Sequence, residues 1–132
     1  MAAKSQYLND KVLGTVLQNT SYTGPATVYV ALNTTTSTPT VPGTEVTGGN
    51  YARIPVTFTP NPPTASTVSN SGTVAFFGAG ATAGPNTIVE AAIYDALTGG
   101  NELYFGSLAV SKTVNIGDTL SFAGSALSVT EA

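Results

Sequence analysis

Charge is what this chain has least of. Its 132 residues include four cations (Lys4, Lys11, Arg53 and Lys112) and seven acids (Asp10, Glu45, Glu90, Asp95, Glu102, Asp118 and Glu131), so 8% are charged. An ordinary soluble domain carries about 25%. Charged side chains keep a free protein wet and hold its copies apart. Here Thr, Ser, Asn and Gly do the solvating, and they repel other copies weakly. Such a surface is suited to lying against other protein.

Cys and His are absent as well, and each absence removes chemistry. Without Cys there is no disulfide scaffold. Without His or Cys there is no zinc ligand set and no common base to activate a serine. The neighbours Ser111–Lys112 and Lys4–Ser5 are not primed as pairs, because adjacent strand residues point to opposite faces. The dispersed carboxylates offer no calcium loop, so no metal or other cofactor is expected. Four scattered cations form no phosphate-binding patch, which argues against nucleic acid as a partner. No apolar run approaches the ~20 residues of a membrane span, and residues 1–11 lack the apolar core of a signal peptide. Synthesis in a cytoplasm, with no membrane partner, is the expectation.

What is present fits one domain over residues 1–132, with 42% hydrophobic residues to fill a core. A helix is predicted over 5–19. Leu8, Val12 and Val16 recur every fourth residue, flanked by Leu13 and Leu17, and Ser5 serves as N-cap. Gly14 weakens this helix or marks a close backbone contact. The rest, residues 26–131, reads as a mainly β, antiparallel sandwich of about eight short strands. Alternation marks 27–32 and 54–58, the latter at an edge or bulge because Pro55 cannot donate to a ladder. Residues 74–77 form a short strand and 87–94 a longer, more apolar, central one. A hairpin over 95–101 leads into 103–110, where alternation slips near Gly106, a candidate bulge. Strands over 112–116, around Leu120 and Phe122, and around Leu127 and Val129 complete the set. Residues 33–44 and 59–71 are Thr-, Ser- and Pro-rich surface loops, longer than most connections, either contacting a partner or serving no role. Residues 79–86 form a third, Gly/Ala-rich loop.

Glu90, Asp95 and Glu102 are the candidates for a carboxylate pair, Asp95 and Glu102 being brought near one another by the hairpin. The structural alternative has Asp95 bonding its own turn and Glu102 solvating the far side. Glu45 and Arg53 flank a Gly-rich segment; either they pair, or Arg53 reaches a neighbouring protein. Tyr29 and Tyr104 fall opposite the apolar strand positions and are candidates for exposed interface anchors, the alternative being half-buried core tyrosines.

Several segments, taken together, resemble a family of small tailed-bacteriophage virion proteins. They are Tyr7-Leu8-Asn9-Asp10-Lys11-Val12-Leu13, residues 22–32, Glu45-Val46-Thr47-Gly48-Gly49-Asn50-Tyr51-Ala52-Arg53, Val68-Ser69-Asn70-Ser71-Gly72, residues 93–106 and residues 114–120. The likeness runs in order along nearly the whole chain, with Gly-Gly-x-Tyr-Ala-Arg its most specific part and residues 33–44 its greatest departure. Members are often labelled tail-fibre proteins, whereas others resemble capsid decoration, or cement, proteins that sit as trimers on the head. The resemblance implies a jelly-roll type of sandwich, no catalytic residues, and a homotrimer bound to the major capsid protein on the outer head surface, stabilising it. A tail or fibre component, with host carbohydrate as a ligand, is the alternative. The residues expected at an oligomer or capsid interface are Tyr7, Leu8, Tyr29, Tyr51, Arg53 and Tyr104.

Overall fold

A computed structural model describes residues 3–60 and 66–130. Residues 61–65, within the predicted 59–71 loop, and Glu131, at the end of the predicted sandwich, lie outside the described residues. In chain order the elements are β1 (Ala3–Lys4), α1 (Gln6–Leu17), β2 (Val28–Asn33), β3 (Ile54–Val56), β4 (Phe58–Pro60), β5 (Thr67–Asn70), β6 (Val74–Phe76), β7 (Asn86–Tyr94), β8 (Glu102–Val114), β9 (Leu120–Phe122) and β10 (Ser128–Thr130). The mainly β, antiparallel architecture with one N-terminal helix is the expected one. Its strands form a five-stranded sheet β1-β8-β7-β2-β3, a three-stranded sheet β10-β5-β4 and a pair β6-β9. These orders alone do not draw a jelly roll.

Strand β7 is central in the large sheet, as its apolar run predicts, and β3 is at the edge, as Pro55 requires. The predicted strand 54–58 divides at Thr57. Val56 pairs with Val28 in the large sheet, whereas Phe58 pairs with Asn70 in the three-stranded one. The Thr57 carbonyl accepts the Ser71 amide at 3.0 Å, one step further along the β4–β5 register. Two predicted strands, 103–110 and 112–116, prove to be the single β8. The register shifts fall between Ile88 and Glu90 and between Ile93 and Tyr94, so Gly106 itself is in register, opposite Ala91. Strands β1 and β5 were not predicted, because two residues show no period and β5 lies in a Thr/Ser-rich stretch.

Alternation gives the large sheet two apolar faces. Val30 and Leu32 enter the main core with Val46, Val74, Phe76, Phe77, Ala81, Ile88 and Val114. Ala31 points the other way, into a smaller cluster with Ala92, Tyr94 and Phe105. An aromatic group organises the main core: Tyr51 stacks on Phe76 with centroids 6.3 Å apart, and Phe122 meets Phe76 edge-on.

The helix starts where Ser5 predicts, its Oγ accepting the Leu8 amide at 3.2 Å. It ends two residues short of the prediction. Asn19 turns left-handed (φ 53°), and the Thr20 amide returns to the Gly14 carbonyl at 3.0 Å. Its apolar residues do not all face inward. Leu8 is buried and Val12 half-buried, but Leu13, Val16 and Leu17 are 53%, 71% and 73% exposed.

Candidate functional site

Three features stand out: a clamp built on Arg53, a buried pair of glutamates beneath the 33–44 loop, and an apolar cleft between sheets.

The clamp accounts for Gly-Gly-x-Tyr-Ala-Arg. Gly48 and Gly49 both have positive φ, 86° and 58°, turning the chain back on itself. Asn50 then pins the 77–82 loop, donating to the carbonyls of Phe77 (3.2 Å) and Gly80 (2.9 Å). Tyr51 accepts the Leu32 amide at 3.0 Å and donates to Glu45 at 2.6 Å. Burial and the Glu45 bond raise its pKa above the ordinary phenol value. Arg53 is buried and grips Glu45 with two bonds of 2.9 and 2.8 Å. Its Nη1 donates to the carbonyls of Ala96 and Gly99 in the hairpin, and its guanidinium lies 3.7 Å from the Tyr94 ring centroid. Burial alone would lower its pKa, but hydrogen bonding to Glu45 and the Glu45 charge outweigh this and hold it above the ordinary value. Of the two fates open to Arg53 in the sequence, the structure gives the ion pair with Glu45.

The glutamate pair joins residues distant in sequence. Asn33 ends β2 opposite Glu90 on β7, and Glu102 opens β8 opposite Tyr94. Glu90 accepts bonds from Asn33 Nδ2 (2.7 Å) and the Ser37 amide (2.9 and 3.1 Å). Ser37 Oγ lies 2.6 Å from Glu90 and 2.9 Å from Glu102, and accepts the Gly43 amide at 2.8 Å. A hydroxyl has one hydrogen and cannot donate to both carboxylates. The contacts close when Glu102 is protonated and donates to Ser37, which in turn donates to Glu90. Burial pushes the Glu102 carboxyl up to about 7; the Glu90 charge adds to this, while the Ser37 bond and Arg53 oppose it.

Of the three candidates, it is Glu90 and Glu102 that Ser37 brings together, not Asp95 and Glu102. Asp95 takes its structural role, accepting the Asn101 amide at 2.7 Å. Glu102 does not solvate the far side of the hairpin: it is buried at 5% exposure. Leu103 is an extra residue in the ladder, since Ile93 faces Tyr104 while Tyr94 faces Glu102, and this shift carries Glu102 inward. Glu90, at 1% exposure, is enclosed by donors from the 33–44 loop. These carboxyls hold a loop to a sheet and do not flank an open cleft as a glycosidase pair does. Ser37 is the participant that sequence reasoning missed. The available signal was Glu90, a charge amid the apolar run of β7 that required a buried partner.

The other expected interface residues are scattered. Leu8 is buried in its own chain. Tyr7, Tyr29, Tyr51 and Tyr104 are all half-buried, none of them exposed. Tyr29 pairs with Tyr94 and Tyr104 with Ile93, on the two opposite faces of the large sheet, both of which carry apolar residues. Tyr104 lines the cleft, a two-lobed space of about 310 and 240 Å³ between the large sheet and β10-β5-β4. Both lobes include Ile93, Tyr104 and Val129, and no charged residue lines either among the described residues. Tyr7 instead lines a shallow groove of about 360 Å³ with Ser5, Pro39, Asn101 and Glu102.

Among the described residues no group of three or more acids could hold a metal ion, and no helix is long and apolar enough to cross a membrane. Compared with known families, the sequence matches the one described as Podophage GP4 fiber I protein gp80, over residues 3–130. No curated protein matches it.

Proposed function

The chain belongs to the Podophage GP4 fiber I protein gp80 family, and from that premise we propose that it is a non-catalytic structural protein of the virion. It acts by contact with its own copies and with neighbouring virion proteins, as a homotrimer. One observation carries this reading: Leu13, Val16 and Leu17 form an uncovered apolar ridge on a chain with very little charge. Uncovered ridges of this kind mark contact surfaces.

Placement in a tail fibre is supported by the family description. The groove that sets Tyr7 beside the exposed Asn101 supports a contact with host carbohydrate there, since sugars stack on aromatic rings and bond to amides. Capsid decoration is the second reading, with the major capsid protein as partner. The low-charge surface favours it, because a shell offers many symmetric sites where weak contacts add through effective concentration.

Quantitative mass spectrometry of purified virions, with antibody labelling in the electron microscope, tests both. A few to tens of copies at the tail supports the fibre. Hundreds of copies on the head supports decoration. Absence from the particle overturns both.

A further inference from the structure

Residues 36–43, the tip of the loop that leaves β2, are hydrogen-bonded to the body at two places among the described residues. One is the Gln6 amide, which donates to the Pro39 carbonyl at 2.7 Å. The other is Ser37, which meets Asn33, Glu90 and Glu102. We propose that this second tie is a proton-operated latch: a proton on Glu102 fastens the tip to the sheet, and its loss releases the tip and with it one wall of the Tyr7 groove. The latch does not depend on what the groove binds.

Geometry alone sets the need for the proton. Ser37 Oγ lies 2.6 Å from Glu90 Oε1 and 2.9 Å from Glu102 Oε2, and it also accepts the Gly43 amide at 2.8 Å. Its one hydrogen serves one carboxylate. Glu90 is the natural acceptor, since the Ser37 amide and Asn33 Nδ2 donate to it as well. Contact with Glu102 is then attractive only while Glu102 donates. Once Glu102 is ionised, two oxygens face one another with no hydrogen between them, beside a second buried carboxylate. Burial and the Glu90 charge accordingly push the Glu102 carboxyl up to about 7, against the Ser37 bond and Arg53.

Nothing in the loop competes for the proton, because residues 33–44 carry no titratable side chain. Glu90 faces Glu102 from β7. Arg53 acts on it from the clamp, where Glu45 holds the guanidinium. Tyr94, opposite in the ladder, has its phenol pushed up to about 12 by burial. Asp95 is engaged with Asn101, Lys4 on β1 lies opposite Tyr104, and Tyr7 on α1 shares the groove.

The closed tip is held against a cost. Asn33 Oδ1 is buried with no hydrogen-bond partner among the described residues, and opening the tip relieves that. With the latch undone, the Gln6 bond alone remains. Pro39, Thr40 and Pro42 belong to the tip and face Tyr7, Asn101 and Glu102 across the groove, so releasing the tip removes that wall. The closed state holds the Glu102 proton more tightly than an exposed glutamate would. The latch is therefore fast below pH 4.5 and weakens as pH rises through about 7.

Amide hydrogen exchange followed by NMR tests this, read as protection factors, which correct for the pH dependence of chemical exchange. The Ser37 and Gly43 amides, both bonded in the latch, report on the tip. The Ala92 amide, in central β7, reports on global unfolding. Between pH 5 and pH 8 tip protection should fall about tenfold, and at both values it should lie below that of Ala92. In Glu102→Gln, whose amide donates to Ser37 at every pH, tip protection should keep its pH 5 level.

Tip protection equal to that of Ala92 at both pH values overturns the latch, because the loop then opens only when the whole chain unfolds. Protection that is flat across the range in the unmodified protein overturns it too, as does a fall that persists in Glu102→Gln. Should that variant not fold, Glu90→Gln gives the same decision. It leaves Ser37 free to donate to an ionised Glu102, so the pH response of the tip should shrink, and an undiminished response overturns the proposal.

Discussion

Arg53 joins three segments that are remote in sequence: Glu45, the hairpin carbonyls of Ala96 and Gly99, and the Tyr94 ring. A lysine carries the same charge but not the planar fork that reaches all three. Arg53→Lys should therefore cost about 2–3 kcal/mol, read as a lowered urea midpoint. The spacing of Glu45 and Arg53 made their pairing one of two readings open in the sequence, and the same motif made the family legible. That motif holds the fold together, which is why it is so specific while offering no open site.

Glu102 gives a pH dependence whose sign follows from its burial. Its folded pKa, about 7, lies above the ordinary 4.5, so between these values the folded chain holds the proton more tightly. The stabilisation is full below pH 4.5, declines through 4.5 to 7 and is lost above 7. After allowance for solvent screening the decline should be on the order of 1–2 kcal/mol, measured by urea unfolding across that range. Glu102→Gln, whose amide donates to Ser37 as the protonated acid does, should flatten the slope. Glu102 was not legible as buried, because one extra residue at Leu103 reverses the face that alternation assigns. Ser37 was not legible either, since in a run of Thr and Ser nothing singles out the hydroxyl that turns inward.

At the level of elements, the 33–44 loop is held as firmly as a strand end. Gly43 sits so close to the Thr35 carbonyl that an added Cβ would approach it to 2.2 Å, and its amide donates to Ser37. Gly43→Ala should therefore lower Tm by several degrees, about 1–3 kcal/mol, by displacing the Ser37 latch from Glu90 and Glu102. The helix offers a contrast within a single element. Leu8→Ala should cost about 2–4 kcal/mol, whereas Leu17→Ala in the dissociated chain should lie within about 0.5; thermal unfolding of dilute protein separates them. Apolar period fixes that a helix exists and where it starts. It cannot tell a residue facing its own core from one facing solvent, and the expected single stripe divides there. Strand β5 escaped for a related reason: Thr67–Asn70 reads as loop, and its place in a sheet depends on pairing with β4 and with β10, the latter far away in the chain.

For the whole molecule, the mainly β class, the central strand, the edge strand and the hairpin were all legible, because each follows from local alternation or turn chemistry. The division into sheets of five, three and two was not, since it depends on Thr57 sending one predicted strand into two sheets. The cleft is a product of that division, bordered by β4, β5 and β10 on one side and the large sheet on the other. On the proposed reading, low charge and the bare ridge mark a surface that assembly completes. Cryo-electron microscopy of the purified virion, at a resolution that places side chains, tests this most directly. The expected map has symmetric copies of the chain with Leu13, Val16 and Leu17 covered by another subunit. A map in which those three residues face solvent in every copy, or in which the chain is missing, would contradict it.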